Sequence, residues 1–196
     1  QSGLSVTTTS GTYGIDLNLN VSGGNTAGSV TYVVTGAGCS QTDGVLTKNA
    51  AGDCSVTATM AGNGNYNAVS SSATTVTFAR VALTVTADAK SKQYGATDPA
   101  LTHVITTGSL VIGDSLTGAL ARTSGEDVGT YSINQGTLAN SNYTITYVGA
   151  DLTITQRPIT VTATATTKQY GATDPTFDYS VTTGSLVSGG ALTGAL

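Results

Sequence analysis

The sequence predicts an all-β fold made of small β-sandwich modules in tandem. Three observations point there. The first is an internal repeat: Leu83 to Leu120 aligns without a gap on Ile159 to Leu196, 76 positions later, with 25 of the 38 pairs identical. A copy that long marks an array of one small module. The second is composition. Charged residues make up only 9 % of the chain, against roughly 25 % in ordinary soluble domains, and Thr, Ser, Val and 25 glycines fill the gap. β-Branched residues suit strands, and glycine suits the tight turns between them. The third is apolar–polar alternation interrupted by turn residues throughout. Disorder is the rival reading of so Thr-rich a chain; the alternation and the low net charge of −4 stand against it.

The first segment, residues 1–80, opens with a short strand at Leu4-Ser5-Val6. Thr12-Tyr13-Gly14 reads as a turn, followed by alternation through Ile15, Leu17 and Leu19. Val21-Ser22-Gly23-Gly24-Asn25 breaks the pattern, and Val30 to Val34 restores it. Leu46 sits in a short strand before the turn at Asn49-Ala50-Ala51-Gly52. Cys54, Val56, Ala58 and Met60 point inward, and Val76 and Phe78 close the segment. Six or seven short strands in about 80 residues read as a sandwich. Gly28-Ser29-Val30-Thr31-Tyr32, Cys39, Ala51 to Thr59 and Asn65-Tyr66-Asn67-Ala68 resemble the bacterial Ig-like repeats of large surface proteins. In an exported Ig-like domain Cys39 and Cys54 are expected to form a disulfide; closing that loop is worth roughly 3 kcal/mol in the chain-entropy model. The alternative is two buried thiols in a reducing compartment.

The second segment, residues 81–157, is a whole module. Leu83, Val85 and Ala87 alternate with Thr84, Thr86 and Asp88. Lys92-Gln93-Tyr94 runs into Gly95, and Ala96-Thr97-Asp98-Pro99 turns the chain, since Pro fixes φ and holds the residue before it extended. Leu101, Val104 and Ile105 restart a strand. Gly108-Ser109-Leu110-Val111 reads as the next strand and Gly113-Asp114-Ser115 as its turn. Asp127, Gly129 and Tyr131 carry the Asp-x-Gly-x-Tyr pattern of a tyrosine corner, in which the phenol bonds back to nearby backbone. Tyr143 to Tyr147 and Leu152 to Ile154 supply the last strands. Leu83 to Ala87, Lys92-Gln93-Tyr94-Gly95, Asp98-Pro99, Gly113 to Leu116, Glu126 to Tyr131, Asn142 to Ile145 and Leu152 to Ile154 together resemble the MBG family, the mucin- or glycan-binding-like repeats of bacterial adhesins. The resemblance implies an extracellular or cell-surface β-module repeated in a long protein.

The third segment, residues 158–196, repeats the first half of that module, with Gly190 where the first copy has Asp114. An array cut from a longer protein is one expectation. Completion by identical subunits in a fibre is the other, because half a sandwich leaves open strand edges. The links at Phe78 to Leu83 and Ile154 to Ile159 are short, so tandem Ig-like modules are expected to form a rod.

Chemistry has little to stand on. The one histidine, His103, becomes Tyr179 in the second copy, and neither a nucleophile elbow nor a phosphate-cradling loop is present. No enzymatic activity is expected. Seven scattered basic residues do not make a nucleic-acid patch. No apolar run is long enough for a membrane span. Asp98, Asp174, Asp114 and Asp127 lie at turns and could offer oxygens to calcium, though without an EF-hand spacing, so no metal site is assigned. Tyr143, Tyr147 and Tyr179 are candidate sugar platforms. The expected function is a structural segment of an exported adhesin or fibre whose partners are neighbouring repeats. The alternative is a glycan- or mucin-binding module.

Overall fold

Alternating Thr and Val cannot bury one face as a helix, and among the described residues no helix forms. The computed structural model describes residues 2–25 and 27–194. Ten strands occupy the first segment: β1 Ser5–Val6, β2 Ser10–Thr12, β3 Leu17–Asn18, β4 Val21–Ser22, β5 Val30–Thr35, β6 Cys39–Thr42, β7 Val45–Lys48, β8 Gly52–Met60, β9 Val69–Ser70 and β10 Thr74–Ala79. β8 is the spine, with β5 and β10 antiparallel on its two edges and β9 pairing its end. β10 carries β2 on its far edge in parallel. A second sheet runs β3-β7-β6, and β1 pairs β4. One turn that joins β6 to β7 is Asp43-Gly44, with φ of 51° and 80°. Positive φ at both central residues is what a two-residue hairpin with the native twist requires.

One buried cluster draws on both sheets: Leu46 of β7, Cys54, Val56, Ala58 and Met60 of β8, and Val76 and Phe78 of β10, with Leu4, Val6 and Leu19. The inward phase of β8 follows from its period-2 pattern. A disulfide between Cys39 and Cys54 ties β6 to β8, and so one sheet to the other.

Seven strands form the second segment: β11 Val81–Ala87, β12 Lys90–Gln93, β13 His103–Thr107, β14 Ala121–Arg122, β15 Gly129–Asn134, β16 Tyr143–Val148 and β17 Ala150–Thr155. They make two sheets, β13-β11-β16 and β12-β17-β15-β14. β11 lies parallel to β16, and β12 parallel to β17. The stretch 108–116, expected to hold a strand, is irregular instead, because it folds into a loop that packs elsewhere. By compactness the chain divides into two units. One holds Gln1–Thr86, Val104–Ala119 and Thr137–Val148; the other holds Ala87–His103, Leu120–Gly136 and Gly149–Leu196. The sheet β13-β11-β16 belongs to the first unit, and β12-β17-β15-β14 to the second.

In the third segment β18 Thr160–Ala163 pairs antiparallel with β19 Tyr179–Thr183. No described residue from 155 to 194 is buried.

Candidate functional site

Three turns share one sequence pattern and one backbone. Thr12-Tyr13-Gly14-Ile15, Gln93-Tyr94-Gly95-Ala96 and Gln169-Tyr170-Gly171-Ala172 each close with an N–H from the fourth residue to the carbonyl of the first, at 3.1, 3.0 and 3.1 Å. Their glycines have φ of 77°, 78° and 78°. A turn with positive φ at its third residue is of the type II kind and selects glycine there. The first two are anchored alike. The Tyr13 N–H donates to Ala79 O at the end of β10, and the Tyr94 N–H to Thr155 O at the end of β17, at 2.9 and 2.8 Å.

Two of the turns meet the same kind of loop. A Cβ added at Gly14 would lie 2.5 Å from Val111 Cγ2, and one added at Gly95 would lie 2.3 Å from Val187 Cγ2. Val111 and Val187 are equivalent positions of the repeat, in the two Gly-Ser-Leu-Val stretches 108–111 and 184–187. Each valine starts a tight turn of its own, with Asp114 N–H to Val111 O at 2.9 Å and Gly190 N–H to Val187 O at 2.8 Å. Turn therefore seats on loop twice, and only a residue without Cβ lets the valine approach.

The first joint is the more elaborate. Tyr13 meets Tyr143 edge-on, with centroids 6.2 Å apart at 90°. Tyr143 Oη donates to Asp114 Oδ2 at 2.6 Å and accepts the Val111 N–H at 2.8 Å. Asn142 Oδ1 accepts the Ala51 N–H at 3.1 Å. Burial, then the neighbouring Asp114 carboxylate, pushes both phenols above their ordinary value. Leu83, Leu110, Val111, Leu116 and Ile145 complete the apolar packing. The second joint is plainer. Tyr94, Val187, Leu186 and Gly190 border an open cleft of about 430 Å³, and Gly190 brings no carboxylate.

A second constellation closes on Lys92. Its ammonium lies 2.6 Å from Asp98 Oδ1 and 2.5 Å from Glu126 Oε2. Arg122 binds the other oxygens of the same two carboxylates, at 2.6 Å to Asp98 Oδ2 and 2.5 Å to Glu126 Oε1. The result is a ring of alternating charge. The Arg122 guanidinium, then the Lys92 ammonium, holds Asp98 down to about 2. Glu126 is lowered by Lys92 and then Arg122. Arg122 also lies 5.4 Å over the centre of the Tyr131 ring. In the third segment Lys168 pairs with Asp174, the equivalents of Lys92 and Asp98, and both are exposed. Sequence reasoning had Lys92 only as the residue leading into Tyr94-Gly95 and missed the ring. The signal was available: Lys and Asp six apart recur in both copies, and the chain's only Glu lies four residues beyond Arg122.

The residues singled out from the sequence are spread over several places. Cys39 and Cys54 are bonded. Tyr131 Oη donates to the Asp127 carbonyl at 2.8 Å, with Gly129 opening β15 beneath it. Tyr143 as a sugar platform is corrected: it is 3 % exposed and committed to the first joint. Tyr147 is half-buried on the same face of β16, and Tyr179 is 42 % exposed on β19. For calcium, the carboxylates of Asp98, Asp114 and Asp174 are already engaged by Arg122 and Lys92, by Tyr143 and by Lys168. Among the described residues no three His, Cys, Asp or Glu are grouped to hold a metal ion. No described helix is long and apolar enough to cross a membrane.

The model of the MBG domain (YGX type) matches residues 83–153, so this part is similar to repeats of the surface-adhesin type. The match contains Tyr94-Gly95, the Val111 loop and the charge ring, and gives no support to the Ig-like resemblance of residues 4–80. No curated protein matches the chain.

Proposed function

We propose that this chain is a structural segment of an exported bacterial adhesin or extracellular fibre, linking and projecting through tandem β-modules and carrying no chemistry of its own. One observation carries the reading: the same glycine-on-valine contact occurs at Gly14–Val111 and at Gly95–Val187, in equivalent places of successive segments. A contact repeated with the module serves the array rather than one ligand. The MBG match and the Cys39–Cys54 disulfide support an extracellular location, where disulfides persist. The test is ¹⁵N relaxation of the whole chain. Within the first compact unit, residues 4–80 and the sheet β13-β11-β16 are expected to tumble with one correlation time, and Val111→Asp is expected to separate the two. Independent tumbling already in the wild type would remove the reading.

The second reading is glycan binding. It is favoured by Phe177 and Tyr179, which are 58 % and 42 % exposed in the third segment. Amide shifts at Tyr179 on titration with mucin-type glycans are its expected signature.

A further inference from the structure

Tyr170-Gly171 is the third copy of a turn whose first two copies are each filled by a valine loop. Its backbone is already that of the other two, with the same closing hydrogen bond and a Gly171 φ of 78°. Nothing lies within 4 Å of the Cβ position at Gly171, and Tyr170 is fully exposed. Tyrosine exposure follows occupancy across the three turns: Tyr13 is buried beneath a complete joint, Tyr94 is half-buried beside the plainer one, and Tyr170 is bare.

We propose that Tyr170-Gly171 is the open half of a reusable joint, and that its partner is the Gly-Ser-Leu-Val loop of a further repeat of this kind. The inference rests on the linking reading above and names the surface that extends it. The turn selects its partner by shape. Glycine leaves a notch one methyl group deep, the tyrosine ring walls it, and a β-branched side chain held at the start of a tight turn fills it. A loop with Asp at the turn's fourth position, as at Asp114, suits the site best, since in the first joint that carboxylate accepts from Tyr143 and lies against the Tyr13 phenol. Both Gly-Ser-Leu-Val loops among the described residues already seat on a turn, so each must be freed before it can be offered to Gly171.

Cysteine pairs read the contact directly. A Cβ at Gly14 lies 3.5 Å from Val111 Cβ, and one at Gly95 lies 3.4 Å from Val187 Cβ. Both are close to the spacing of about 3.5–4.5 Å across a disulfide. The native cysteines are bonded to each other, so an introduced thiol is the only free one. The full chain with Gly171→Cys is mixed at millimolar concentration with the full chain carrying Val111→Cys and Gly14→Asp, which frees the loop by displacing its internal turn. Oxidation is expected to give the heterodimer at least about tenfold faster than when the first thiol sits at Gly64, a glycine also without neighbours within 4 Å. Equal rates would overturn the proposal. Val187→Cys with Gly95→Asp is the second partner, should the first lose its fold by circular dichroism. The single chain with Gly95→Cys and Val187→Cys separates the two readings. If it closes internally while the Gly171 thiol shows no preference, the linking function stands and the open turn does not. If it fails to close, the linking function falls as well.

Discussion

Lys92 sits where a strand would ordinarily bury an apolar side chain, and its ammonium is tolerated because two carboxylates meet it there. Removing one member strands the others. Asp98 has an ordinary value of 3.8 and is held at about 2 in the fold. Its folded value lies below its unfolded one, so the stability it contributes is present above about pH 4 and is lost as pH falls through about 2. Carboxyl NMR is expected to show Asp98 titrating near 2 in the wild type and moving back toward 3.8 in Arg122→Gln, since the guanidinium is the largest cause of the shift. Gly14 gives the other residue-scale test. Gly14→Ala meets a left-handed φ, costing ~1–2 kcal/mol, and a stiff valine methyl at 2.5 Å, costing ~1–3 kcal/mol as overpacking. Val111→Ala in the same chain is expected to recover the second part and not the first, read from denaturation midpoints. Thr12-Tyr13-Gly14 was legible as a turn, whereas in the repeat the turn expected at Ala96 to Pro99 lies at Tyr94-Gly95, where the Ala96 N–H closes on Gln93 O. That a turn would be a socket was not legible, because the valine that fills it lies 97 positions away in one case and 92 in the other.

At the scale of elements, period-2 alternation reported the faces correctly: Val56, Ala58, Val76, Phe78, Leu83 and Val85 all point inward. Alternation says nothing of neighbours. The parallel pairs β10 with β2, β11 with β16 and β12 with β17 had no local signature. Asp43-Gly44 did have one, since an Asp-Gly pair between short strands is a strong hairpin signal. The strand expected at 108–111 failed because Leu110 and Val111 are apolar for a different reason: they pack with Tyr13 and Tyr143 rather than in a sheet. Leu46 tests the cluster shared by the two sheets. It is fully buried on β7, and Leu46→Ala is expected to cost ~2–5 kcal/mol from lost transfer and a residual cavity. Reduction of Cys39–Cys54 is expected to cost ~3 kcal/mol by freeing the unfolded loop. The pair bridges the same sheets that Leu46 packs between, so the two losses should not add. A denaturation cycle over the four states measures that coupling.

Across the whole molecule, the repeat was the loudest signal in the sequence, and its copies behave differently. β11 is inward-facing and buried at Leu83, Val85 and Ala87, whereas its copy β18 is exposed at every position. The residue types are nearly the same, so the difference comes from what surrounds them. Leu83 is packed in a cluster with Tyr13 and Tyr143, whereas residues 158–196 correspond to 82–120 of the second segment, ahead of β14. Amide exchange should register this directly. Protection depends on buried contacts and paired backbone, so β8 and β10 are expected to exchange slowest and β18 and β19 near the rate of an open chain. Leu196 is equivalent to Leu120, so a chain continued after Leu196 with a copy of residues 121–157 adds strands equivalent to β14 to β17 in register. That chain is expected to slow exchange in β18 and β19 by about a thousandfold, the factor for roughly 4 kcal/mol of local stability. It would also provide an arginine and a glutamate to close the charge ring on Lys168 and Asp174. Unchanged exchange in β18 and β19 would show that the module's two halves do not complete each other, and that its burial at β11 depends on Tyr13 and the segment before it.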